Sequence, residues 1–250
     1  MKKILLLLFI VLLTYNCKSH KYFENIKQVY IENIDSDKKT NLNKFDIDNK
    51  IFVIGRKFRY KITHNKRVKN INNLKYIEYE IQGGTKPFSD IDSTYSQTVV
   101  KISYFNNENT FIISERTGII ENNINVWLHP PRSDIFSSLQ LNAFPFLIFS
   151  DNEIKSWTWN LECSYNQFNN ILVKHNYILK KYKSSNYDSY MESFIIKSVS
   201  NSEAGKSMTI NNFNTLYGFY KMKFFNYDKS ILTLDLISIK EEDGSYFFKK

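Results

Sequence analysis

Little in this sequence interrupts the chain or cross-links it: 250 residues hold seven glycines, four prolines and two cysteines. So few breakers favour long, uninterrupted elements over a loop-rich scaffold stapled by disulfides. A run long enough to cross a bilayer is also missing. The longest apolar stretch, Ile4 to Leu13, has about half of the roughly twenty residues that a spanning helix needs. Charge of one sign is not concentrated either. Lys and Arg total 34 against 25 Asp and Glu, a net +9, and the lysines are spread along the chain, with His64 to Lys69 the one compact basic patch. A nucleic-acid module would gather charge on one element beside aromatics, so that class is excluded as a partner. No GxSxG, P-loop, GxGxxG or HExxH occurs. The histidines at 20, 64, 129 and 175 have no ligand spacing, and Glu241-Glu242-Asp243 reads as part of a solvated tail. The expectation is a non-catalytic protein without metal or cofactor.

What is present begins at the N-terminus. Met1-Lys2-Lys3, the apolar run and Thr14-Tyr15-Asn16 follow the charged, apolar and cleavage-region order of a secretion signal spanning residues 1–16. The run carries no polar face at helical spacing, which counts against a buried helix of a cytosolic protein. Cys17 follows directly, and the segment resembles a bacterial lipobox, with large residues where small ones are usual. The resemblance implies that Cys17 receives a diacylglyceryl group. Two or three acyl chains hold a protein stably where one chain binds reversibly. Residues 17–49 read as the lipidated cysteine and a polar tether. With Cys17 acylated, Cys163 has no partner for an internal disulfide and reads as a small buried side chain.

Residues 50–250 read as one β domain. Aromatics are 16% of the chain, with 20 Phe and 17 Tyr, and Asn pairs such as 72–73, 106–107, 122–123 and 169–170 stand where turns are needed. Period-two alternation marks strands over 50–63, 74–82, 94–105, 110–116, 118–128, 156–162, 171–182, 191–199, 206–212, 216–225 and 231–240, with a hairpin over Asn226 to Lys229. Serial strands with short turns pair antiparallel, and about eleven of them must curl or close. The fold class is therefore all-β, a barrel, half barrel or sandwich with one short helix starting at Ser133 or Asp134. Charges beside the apolar runs argue against a lipid-facing barrel.

The most distinctive constellation is Trp127-Leu128-His129-Pro130-Pro131-Arg132, followed by Phe144-Pro145-Phe146 and Trp157-Thr158-Trp159. Two successive prolines cannot donate ladder hydrogen bonds, so a strand ends there. Trp127, His129, Arg132, Phe146, Trp157 and Trp159 are the candidate ligand-binding residues, lining an aromatic concavity with Arg132 available to hold an anionic group. The same side chains also read as plain core with a rigid proline corner. A hydrolase would require titratable groups to converge on His129.

Through these motifs and the closing segment from Leu216 to Leu236, the chain resembles uncharacterised envelope lipoproteins of double-membraned bacteria. Its layout is similar to the open half barrels of periplasmic lipoprotein carriers. The resemblance implies attachment to the cell envelope, and because no acidic run of the surface-export kind follows Cys17, the periplasmic face of the outer membrane is expected over the cell surface. The partners expected are a membrane through the anchor, a lipid or other amphipathic ligand, or an envelope protein of which this chain is an interaction subunit.

Overall fold

The computed structural model describes residues 50–65, 73–83, 97–121, 125–132, 134–148, 156–165, 168–182 and 193–250, without the side chains of 134–135, 159–171 and 180–182. The signal, Cys17, the tether and most of the basic patch lie outside these residues, as do the side chains of Trp159 and Cys163.

Thirteen strands and one 3-10 helix make up the described chain. In order they are β1 (Lys57–His64), β2 (Leu74–Ile81), β3 (Thr98–Asn106), β4 (Phe111–Glu121), β5 (Asn125–Leu128), the 3-10 helix (Asp134–Leu141), β6 (Phe146–Ile148), β7 (Ser156–Tyr165), β8 (Phe168–Tyr182), β9 (Ser193–Ser202), β10 (Gly205–Asn214), β11 (Gly218–Phe225), β12 (Ile231–Lys240) and β13 (Tyr246–Lys249). All belong to one antiparallel sheet whose order is β6-β5-β4-β3-β2-β1-β12-β11-β10-β9-β8-β7, with β13 added beside β12. Two meanders therefore meet at the β1–β12 seam, where Ile62 lies opposite Leu234 and Phe58 opposite Ile239.

The sheet curls without completing its ladder. Laid flat, twelve strands would put β6 and β7 about 53 Å apart. Ile148 and Ser156 are eight residues apart in the chain, a span of at most about 28 Å. The two edges meet through side chains instead: Phe146 of β6 touches Trp157 of β7 with ring centroids 5.7 Å apart, and Tyr177 of β8 at 5.6 Å. Inside the curl lie the alternate residues of each strand, Phe58, Tyr60 and Ile62, Ile77, Tyr79 and Ile81, Leu232, Leu234 and Leu236 among them, all buried. Outside lie Lys57, Arg59 and Lys61 facing Glu78, Glu80 and Asp235, an ion-paired surface suited to water.

The segment from His129 to Pro145 crosses the concave side. Phe136 of the 3-10 helix stacks on Tyr104, the Ser207 hydroxyl donates to the Leu141 carbonyl at 3.0 Å, and the Asn142 side-chain amide donates to the Asn226 side-chain oxygen at 2.7 Å. This matches the expected curled all-β architecture with one short helix.

Some details differ from the sequence reading. The strand expected from residue 50 begins at Lys57, because Gly55 takes a positive φ of 86° in a turn where the Arg56 N–H donates to the Val53 carbonyl. Two strands do lie over the stretch read as 110–116 and 118–128, but the break between them is not at residue 117. β4 runs unbroken through Gly118, and the pairing changes only after Glu121. The short β6 was not expected. Nor is the acidic tail simply solvated: Glu241 forms a bidentate pair with Arg56, at 2.7 and 3.1 Å, and the chain returns as β13.

Candidate functional site

The proline corner is built where β4, β5 and β6 overlap. Trp127 pairs with Ile120 on one side and Phe146 on the other. Its neighbour Leu128 donates to the Pro145 carbonyl at 2.9 Å and His129 to the Gly118 carbonyl at 3.2 Å, after which Pro130 and Pro131 stop the ladder. The Arg132 N–H then donates to the Glu115 carboxylate at 3.0 Å, and the Tyr104 hydroxyl donates to the same carboxylate.

Of the six residues singled out in the sequence, the structure brings five near one another. Trp127, His129, Phe146 and Trp157 are buried, while Arg132 is half-buried. The His129 ring lies 4.7 Å from both Trp127 and Phe144, and Trp157 stacks on Tyr177 at 5.1 Å. These contacts are ring on ring, as in a core. The sixth, Trp159, has its side chain outside the described residues. Burial, and then the Arg132 charge, hold His129 neutral with its pKa well below the usual histidine value. No group of three or more His, Cys, Asp or Glu side chains gathers among the described residues.

Sequence reasoning missed a polar belt beside this cluster. One cross-strand row runs Trp157, Tyr177, Ser198, Thr209, Phe224 over β7 to β11, with His175, Ser200 and Ser207 in the next row. Ser198, Thr209 and Asn211 are fully buried. Their side-chain polar atoms, both ring nitrogens of His129 and the Trp157 indole N–H have no hydrogen-bond partner among the described residues. The alternation of Ser198 and Ser200 in β9 was the available signal, but without the register it reads as a solvent face.

A second feature was also missed. Because Pro130 and Pro131 end β5, β4 is paired on its outer side, among the described residues, only from Gly118 to Glu121. Among the described residues Phe111 to Arg116 thus have no strand beside them on that edge, and Phe111, Ile112 and Ile113 are 53, 50 and 50% exposed. Three consecutive large apolar side chains in water at a strand edge are uncommon in a chain that stays alone.

No family model and no curated protein matches the chain. Two solved structures are similar. One is a protein of Bacteroides fragilis described as exported, with a YmcC-like fold, at TM-score 0.39 and 10% identity over 79% of this chain and 100% of the other. The second, from Parabacteroides distasonis, is described as a lipoprotein; it aligns at TM-score 0.39 and 12% identity over 76% of this chain and 99% of the other. At these scores the likeness carries no argument about function.

Proposed function

We propose that this chain is an exported lipoprotein, anchored in the cell envelope through Cys17 and held at the periplasmic face of the outer membrane. Its folded domain acts without catalysis as an interaction subunit. The N-terminal order of charge, apolar run and cysteine supports the anchor. The observation that carries the interaction role is the edge of β4 left unpaired among the described residues, with its exposed Phe111, Ile112 and Ile113.

The occupant is an extended segment of an envelope protein that adds as a strand beside β4, main-chain hydrogen bonds giving affinity and alternate side chains giving choice. Its chemistry follows from the outer row Lys57, Glu80, Lys101, Arg116, in which Lys101 and Arg116 lie directly opposite each other. An acidic residue opposite Arg116 restores the alternation. Photo-crosslinking from position 112 of the full chain in cells tests this. A discrete protein adduct that disappears with Arg116→Glu is expected; no adduct, or one indifferent to Arg116→Glu, overturns it. Replacing Arg116 removes a like-charge pair, so unfolding does not explain a loss.

A second reading, an amphipathic ligand held against Trp127, His129, Arg132, Phe146, Trp157 and Trp159, is favoured by the partnerless buried polar atoms of His129 and Trp157. Native mass spectrometry of the full chain released from detergent would show a lipid-mass adduct lost on Trp157→Phe. A bare protein mass leaves the interaction role alone.

A further inference from the structure

On the convex face β2, β1, β12 and β13 lie side by side and their registers place cations together. One row runs Glu80, Lys57, Lys240, Tyr246; the next runs Glu78, Arg59, Ser238, Lys249. Lys57 and Lys240 are therefore direct cross-strand partners, an arrangement of like charges that costs stability. The carboxylates of β2 neutralise the β1 side: Lys57 pairs with Glu80 at 3.2 Å and Arg59 with Glu78 at 3.5 Å. Lys240 and Lys249 have no carboxylate partner among the described residues. Both instead set their ammonium groups against the Tyr246 ring, 4.8 and 4.7 Å from its centroid.

The backbone makes room between them. Tyr60 lies opposite Leu236 but Arg59 opposite Ser238, so Ile237 is an extra residue, a bulge that turns the strand locally. Small Ser238, 8% exposed, forms the floor. The result is an open cleft of about 490 Å³, walled by Lys57, Arg59, Tyr246 and the two unpaired lysines, with Glu78 and Glu108 the acidic side chains that line it. Arg59 is not free to move: its guanidinium lies 4.7 Å from the Tyr76 ring centroid and 4.8 Å from that of Phe105, and it also donates to the Asn109 side chain.

From this we infer a binding site for a phosphate-type anion in the cleft between β1 and β13, with Lys240 and Lys249 holding the anion and Lys57 completing the field. Ammonium groups bind phosphate oxygens as mobile point charges, and an anion between Lys57 and Lys240 cancels the repulsion that the fold otherwise carries. The phosphate belongs either to an anionic lipid headgroup of the membrane or to a free phosphorylated molecule.

The test uses the full chain in neutral detergent, titrated by thermophoresis with inorganic phosphate and, separately, with micelles doped with phosphatidylglycerol or phosphatidylcholine. Lys240→Glu/Lys249→Glu is expected to weaken anion binding about tenfold or more, whereas the control Lys197→Glu/Lys206→Glu, with the same change in charge, alters it less than about twofold. Saturation by inorganic phosphate identifies a free phosphorylated ligand. A response to phosphatidylglycerol micelles without one to inorganic phosphate identifies the headgroup. The inference is overturned if neither probe binds, if phosphatidylcholine binds equally, or if both double variants lose binding alike.

Discussion

Two imidazoles are sealed inside this sheet, and their titration controls how the protein meets acid. His175 is fully buried, with Nδ1 2.7 Å from the Ser200 hydroxyl, and burial lowers its pKa from 6.5 to about 3. His129 is shifted the same way, by burial and then by Arg132. Above about pH 6.5 both states of the chain are neutral at these sites and the stability is intact. Below it the unfolded chain takes up a proton that the folded one refuses, so stability falls as pH drops toward about 3. Each imidazole contributes roughly 1.4 kcal/mol per pH unit. Urea midpoints measured between about pH 7 and pH 5 should decline accordingly, and His175→Asn should flatten the slope; an unchanged slope would place the acid sensitivity elsewhere. Glu121 is held by geometry. Its buried carboxylate accepts from the Ile51 N–H at 2.9 Å and the Phe52 N–H at 2.9 Å, fastening the entering chain to the end of β4. Glu121→Ala should cost about 2 to 4 kcal/mol in chemical denaturation, and Glu121→Gln less, since one acceptor remains. The aromatic corner was legible as a unit because Trp, Pro and His stand close in sequence. Glu121 was not, because its partners lie about seventy residues away.

At the scale of elements, alternation located most strands, while glycine misled. Gly118 was taken as a boundary, yet it lies inside β4, where a β-carbon would clash with the Gln97 side-chain oxygen. The residue marks a close approach, not a turn. Gly118→Val should therefore destabilise by about 1 to 3 kcal/mol, read from the urea midpoint, with the strand content by circular dichroism retained. Gly218 behaves as a true breaker: its φ of 71° delays β11 by two residues from the expected start, and the Asn214 side chain accepts the N–H groups of Leu216 and Tyr217. β13 escaped notice because Glu241 to Gly244 look like the start of a solvated end; its evidence was the distant Arg56. Local patterns report where a strand runs, whereas edges depend on what fails to pair. That is why the stretch of β4 left unpaired among the described residues came from the structure.

On the scale of the molecule, every ladder joins strands consecutive in sequence except one, the seam of β1 and β12, where Lys57 faces Lys240. Pattern could predict a curled sheet but not which strands stand at its centre and which at its rim. A chain ended after Lys240 loses β13 and should keep a protease-resistant core at a cost of a few kcal/mol. A chain ended before Ile231 should have none, since β1 and β11 would both face water. Limited proteolysis of the two truncations distinguishes them.

That seam also sets a clock. A chain synthesised N-terminus first releases β1 among the earliest strands and β12 nearly last. Contacts between residues so far apart in sequence form slowly. For the whole interval the first meander waits with β1 unsealed, so its survival depends on how quickly the rest of the chain is delivered.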